Sequence, residues 1–254
     1  MMLVEVAAVM LLLGLLLGFV GAGGSGFIIA ILTVVFGYPI HTALGTALAA
    51  MFFSSLSGSV SHYREGNMML KTGAVVGAAG AIGAWVSSGW SSYIPENHLG
   101  WMTSGMLFSS GLALWFRMAY QAKRTGNQHN SPLQSRGMKF YASAAAIGLV
   151  TGTLSGLFGI GSTPFIQLGL MLLLGLSMRL AAGTTMMVIV PIALAGGAGY
   201  YSVGYLDIQL LVAVVVGTML GSYVGAKFTK RVPAIMLKTC MVITPMLGAT
   251  ILLI

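Results

Sequence analysis

Two glycine-rich interruptions break the apolar run of this chain. They are Gly21-Ala22-Gly23-Gly24-Ser25-Gly26 and Gly159-Ile160-Gly161-Ser162-Thr163-Pro164, and each opens a short apolar segment. Glycines at such a break leave backbone N–H groups without intrahelical partners at the start of the next helix, where the macrodipole adds partial positive charge. A helix start of that kind attracts an anion. Ser25, Ser162 and Thr163 add hydroxyl donors beside the amides of Gly23, Gly24, Gly26 and Gly161, and Pro164 suits a first helical turn. At a single break, helix capping and close backbone packing would account for the same residues.

A second shared pattern follows each break. Gly37-x-Pro39-x-His41-x-Ala43-x-Gly45-Thr46 stands against Gly175-x-Ser177-x-Arg179-x-Ala181-x-Gly183-Thr184, which continues into Thr185. Thr46, Thr184 and Thr185 are candidates to complete a hydroxyl-lined pocket, although a threonine in a membrane helix also bonds back to its own preceding turn. His41 and Arg179 occupy equivalent places at the helix mouths. Either attracts an anion there, and each also fits as a loop residue or a membrane anchor. Gln167, one turn into the second short segment, is an uncharged polar group in apolar surroundings.

The missing groups narrow the chemistry. The four acids, Glu5, Glu65, Glu96 and Asp207, all fall near the edges of apolar segments, which leaves no buried carboxylate to bind a cation or relay protons. Paired-carboxylate hydrolysis, a zinc-ligand set and a G-x-S-x-G nucleophile are not present in the sequence. The expectation is therefore no catalytic residue, no metal and no cofactor. The first break matches G-x-G-x-x-G, but no acidic residue follows about 20 positions on and no soluble strand-turn-helix unit surrounds it.

These breaks lie in a chain of 254 residues that is 57% hydrophobic and 6% charged, with a mean hydropathy of +0.94. A soluble domain carries roughly a quarter charged residues, so the composition gives an all-α polytopic membrane protein with no sizeable soluble domain. The start of the chain has no basic n-region or small-residue cleavage site, and a removable signal peptide is not expected. The net charge of +8 is gathered in short segments beside apolar runs, the pattern of cytoplasmic flanks rather than of a nucleic-acid surface. Cys240 stands alone and is read as a packed thiol.

The organisation is a duplication. Residues 18–86 recur without a gap as residues 156–224, and seventeen of the 69 pairs are identical at an offset of 138, among them Gly21/Gly159, Phe27/Phe165, Gly45/Gly183 and Thr46/Thr184. Residues 1–120 form one repeat and 139–254 the other, joined by a basic linker at 121–138. Apolar segments fall at 3–20, 27–36, 42–60, 72–90, 99–118, 140–155, 164–176, 180–202, 206–226 and 234–254. The segments at 27–36 and 164–176 are too short to span about 30 Å of hydrocarbon alone. The expected fold is two four-helix repeats, each with a glycine-broken, re-entrant first helix.

Loop charges orient the repeats. The linker and the Lys227–Lys238 loop are basic and belong inside, whereas Ser91–Leu99, the counterpart of that loop, has no Lys or Arg. Arg64 and Lys71 flank another loop whose counterpart around Asp207 has no base. Equivalent loops on opposite faces mean inverted topology, and paired interruptions in inverted repeats point to a transporter's binding site. Trp85, Trp90, Trp101 and Trp115 sit near segment ends, as interfacial anchors do. Glycines four residues apart, as in Gly73/Gly77, Gly152/Gly156 and Gly217/Gly221, are read as helix-packing positions.

With its two breaks, GFVGAGGSGFI and GLFGIGSTPFI, each followed by G-x-x-x-x-x-A-x-G-T, the chain resembles the sulfite exporter TauE/SafE family over residues 5–254. The resemblance implies a multi-pass protein of the cell membrane, the inner or plasma membrane in a prokaryote. It also implies transport of a small sulfur-containing anion such as sulfite, a sulfonate or thiosulfate. The family's second break commonly continues G-I-G-G-G; here hydroxyls stand at Ser162 and Thr163. The expected partners are the lipid bilayer and a small anion, with proton or sodium coupling open and no nucleic acid. A channel or facilitator for another small anion or neutral solute is the alternative, and a non-transporting membrane subunit is a third reading.

Overall fold

The computed structural model describes residues 2–20, 24–123, 137–229 and 234–253. Most of the 121–138 linker, the glycine at position 23 and the loop around Lys230 lie outside the described residues, and so does the side chain of Arg179. The fold is helical throughout the described residues. In chain order the helices are α1 (Met2–Val20), α2 (Ser25–Ala30), α3 (Ile40–Arg64), α4 (Leu70–Ser91), α5 (Glu96–Lys123), α6 (Met138–Phe158), α7 (Thr163–Leu172), α8 (Met178–Ser202), α9 (Ile208–Thr229) and α10 (Ala234–Leu252). A π-helical turn at Ile31–Val35 extends α2. The predicted apolar segments and the helices coincide to within a few residues at most ends, because each helix is one uninterrupted apolar run closed by glycine, proline or a polar loop.

Four helices are long and apolar enough to cross a membrane among the described residues: α3, α4, α6 and most of α8. The large apolar side chains of Leu12, Val35, Ile82, Val150, Leu172, Val212 and Leu220 are exposed, as are all four tryptophans. This surface suits lipid rather than water.

Small residues set the packing. A Cβ on Gly14 would lie 2.6 Å from the Thr218 carbonyl oxygen, and one on Gly217 would strike the Ala7 carbonyl, so α1 and α9 touch backbone to backbone. Gly148, Gly152 and Gly156 bring α6 equally close to Val76, Gly80 and Ala84 of α4. These contacts advance together along both chains, so each pair is parallel. In contrast, Gly45 meets Tyr200, Gly196 meets Leu48 and Gly58 meets Met186, which makes α3 and α8 antiparallel. Gly73 lies against Met187 and Gly199 against Ser88, so α4 runs parallel to α8.

These directions constrain the short helices. Since α6 and α8 both run parallel to α4, the chain between them must return from the end of α6 to the start of α8. The ten residues of α7 cover about 15 Å at 1.5 Å per residue, which is half of a bilayer core. The packed centre is made by α3 and α8, whose Ala43, Leu44, Ala47, Leu48, Ile189, Ile192 and Ala193 are buried.

The candidate anion site between the two glycine breaks

The second break is a tight left-handed turn. Helix α6 ends at Phe158, Gly159 follows with φ of 63°, and its amide donates to the Ser155 carbonyl at 2.8 Å. A Cβ on Gly159 would sit 2.8 Å from the Leu44 backbone of α3, so a side chain is excluded by both backbone and neighbour. Gly161 (φ 59°) and Ser162 (φ 45°) continue the turn, and Ser162 is the non-glycine residue with positive φ among the described residues. Holding serine there costs about 1–2 kcal/mol, and such strain persists where surrounding structure fixes it.

Helix α7 begins at Thr163, with Pro164 in its first turn and no side chain capping its amides. Its first intrahelical donor is Ile166, whose N–H bonds the Ser162 carbonyl at 3.0 Å. The amides of Thr163 and Phe165 therefore have no acceptor within the helix. At the first break, Phe27 and Ile28 both donate to the Gly24 carbonyl, at 3.1 and 3.2 Å, and no side chain caps α2 either.

The two breaks face one cavity of about 40 Å³. Gly24, Gly26 and Phe27 line it from the first break, and Ile160, Ser162, Thr163, Pro164, Phe165 and Gln167 from the second. Leu107 and Ser110 close it from α5, with Thr244 and Pro245 from α10; all four lie near the middle of their helices. Four of the lining pairs, Gly24/Ser162, Gly26/Pro164, Phe27/Phe165 and Leu107/Pro245, stand 138 positions apart. By the same measure one water needs about 10–15 Å³, so the space suits an oxyanion of a few heavy atoms. The Ser162 and Thr163 hydroxyls are buried and have no hydrogen-bond partner. A buried hydroxyl without a partner costs free energy that a ligand would recover.

The other sequence candidates lie elsewhere. Gly161 is buried against Met51 of α3. Ser25, Thr46 and Thr185 are buried with unpartnered hydroxyls, yet none of them lines this cavity. Thr184 accepts the Met69 amide at 3.1 Å and so caps α4. His41 is enclosed at the start of α3: one ring nitrogen lies 3.0 Å from the Ser91 carbonyl, the other 3.4 Å from Glu96, and Tyr205 stacks on it at 4.7 Å. Arg179 lies in the first turn of α8. Leu107, Ser110, Thr244 and Pro245 were not legible as site residues from the sequence. Extending the 138-residue offset past position 86 would have paired Leu107 with Pro245.

The model of the family described as sulfite exporter TauE/SafE matches residues 6–252. The chain belongs to the TauE/SafE family. A probable membrane transporter protein of Bacillus subtilis, YdhB, is 50% identical over 245 residues, covering 96% of this chain and 98% of that protein. A probable membrane transporter protein of Methanocaldococcus jannaschii, MJ0441, is 27% identical over 242 residues, 88% of this chain and 86% of its own length. YunE of Bacillus subtilis, likewise described as a probable membrane transporter protein, is 24% identical over 247 residues. No solved structure matches the chain. As a TauE/SafE member with apolar helices long enough to span a bilayer, the protein is a multi-pass membrane protein of a transporter family. A small-molecule substrate and a lipid environment follow from that membership.

Proposed function

We propose that the protein transports a small sulfur-containing anion, such as sulfite, a sulfonate or thiosulfate, by alternating access around the cavity between the two breaks. The observation that carries this reading is the pair of buried, partnerless hydroxyls of Ser162 and Thr163 at the uncapped start of α7, facing Gly24 and Gly26 across one cavity. Uncapped amides and free hydroxyls replace the hydration of an anion without a buried cation. Gln167 adds an amide to the same wall.

The repeats, 1–120 and 139–254, are inverted in this account, with the 121–138 linker inside. Supporting it, α3 and α8, which begin and end 138 positions apart, cross antiparallel, as the two members of an inverted pair do. The exchange is mutual elsewhere too: Gly45 of α3 abuts the Tyr205 carbonyl, and Gly183 of α8 abuts the Asn67 carbonyl, again 138 apart. The breaks with α2 and α7 are then re-entrant, and rocking one bundle against the other exposes the cavity to each side in turn.

All four acids outside this cavity are exposed, which favours a facilitator without proton coupling as the second reading. Flux of sulfite, methanesulfonate and thiosulfate into vesicles containing the purified protein tests both. Saturable flux of at least one of them, responding to an imposed proton or sodium gradient, is the expected result. Flux indifferent to any gradient supports the facilitator, and no flux of all three removes the sulfur-anion assignment.

A further inference from the structure

The lining of the cavity includes the hydroxyl residues Ser110, Ser162, Thr163 and Thr244 and the amide of Gln167, and carries no ionisable side chain among the described residues. Neither α2 with its π-helical extension nor α7 contains a titratable residue. On α5 the ionisable groups sit toward the ends, Glu96 and His98 at the start and Arg117, Tyr120 and Lys123 toward the other end, each at least seven positions from Ser110. On α10, Lys238 and Cys240 precede Thr244 by six and four residues. The positive potential at the cavity is that of the α7 start, roughly half an elementary charge. Removing an ion from water costs in proportion to the square of its charge, so a dianion costs about four times as much as a monoanion of the same size. Neutral hydroxyls and one helix end offset the first cost far better than the second.

The hydroxyls differ in what they offer. Ser162 and Thr163 have no partner and are free to donate. Ser110 has its proton committed, since its hydroxyl donates to the Leu107 carbonyl at 2.7 Å within α5. It therefore presents lone pairs to the cavity as an acceptor. An oxyanion that is acceptor on every oxygen meets those lone pairs unfavourably, whereas one bearing an O–H has a donor for Ser110 and acceptors for the α7 wall.

We infer that the cavity selects singly charged oxyanions over doubly charged ones, and that Ser110 confers a preference for those that carry a donor hydrogen, such as hydrogen sulfite. This rests on the proposed anion-transport reading and narrows it, assigning a charge state and a further specificity residue and setting thiosulfate, a dianion at neutral pH, outside the preferred substrates.

Titrations of the purified full-length protein with sulfite, methanesulfonate and sulfate, followed by thermal stabilisation, test it. Methanesulfonate stays singly charged without an O–H, sulfate stays doubly charged, and sulfite changes from one to the other. Methanesulfonate affinity should not change with pH. Sulfite affinity should fall about tenfold for each pH unit above its second ionisation, as linkage to a bound proton requires, and sulfate should produce no shift. Sulfate stabilising as well as methanesulfonate, or sulfite binding equally in both ionisation states, would overturn the charge selection while leaving the transport reading standing. No shift from any of the three would remove the transport reading, and this inference with it. The Ser110→Ala variant should bind hydrogen sulfite about three- to tenfold more weakly, the loss of one hydrogen bond, and methanesulfonate more tightly, because the lone pairs that oppose its oxygens are gone. Equal effects on both ligands, or none on either, would refute the role of Ser110.

Discussion

The backbone amide of Met69 donates to Thr184 Oγ1 at 3.1 Å, while Thr46, its counterpart 138 positions earlier, is fully buried with no partner for its hydroxyl. The counterpart of Met69 is Asp207, whose carboxylate instead caps α9 through the Gln209 and Leu210 amides at 2.8 and 3.1 Å. Two threonines identical in sequence position thus do different work. Thr184→Val should lower stability by about 1 kcal/mol, the usual cost of a lost cap. Thr46→Val should be neutral or stabilising, because it removes an unsatisfied buried hydroxyl while keeping its shape. Thermal unfolding in detergent distinguishes them, and equal losses would contradict the asymmetry.

Ser162 separates strain from binding. Glycine carries no Cβ penalty at φ of 45°, so Ser162→Gly should be more stable than Ser162→Ala by about 1 kcal/mol. Both lack the hydroxyl, and both should bind the anion several-fold more weakly than the natural protein. If the alanine variant proved the more stable, the left-handed turn described here would be wrong.

Gly159 and Gly37 share a positive φ, of 63° and 67°, but only Gly159 has a neighbour where its Cβ would go, the Leu44 backbone. Gly37→Ala should cost about 1 kcal/mol from backbone alone. Gly159→Ala should cost at least 2 kcal/mol, since α3 must also move. Comparing the melting midpoints of the two variants checks this difference.

His41→Phe keeps the stacking surface for Tyr205 and removes the contact with the Ser91 carbonyl. A loss of roughly 1 kcal/mol is expected, with no change in anion affinity, because His41 lies outside the cavity. A fall in affinity would place the anion nearer the mouth of α3 than proposed.

Helix positions were legible because every spanning segment is one apolar run, and because the 138-residue register carries α3 onto α8 and α4 onto α9 at both ends. The candidate site was legible where chemistry and interruption coincide: Gly24, Gly26, Ser162, Thr163 and Gln167 all line the cavity. A threonine inside a helix does not announce which face it occupies, and so the sequence did not show that Thr46, Thr184 and Thr185 lie away from this cavity. His41 was read as a mouth residue, yet Ser91 and Glu96, which hold it, lie 50 and 55 residues away. Leu107 and Ser110 reach the cavity only through the packing of α5 against α7 and α10, and their counterparts, Pro245 and Gly248, share no chemistry with them.

The central claim is that an anion sits between the two breaks, and selenite, a heavier analogue of sulfite, locates it directly by anomalous scattering from crystals of the protein. The account predicts one strong peak bounded by Ser162 and Thr163 on one side and Gly24 and Gly26 on the other. A peak absent from that cavity and present beside the first turn of α8 at Arg179, or in the groove at Arg64 and Ser61, would contradict it.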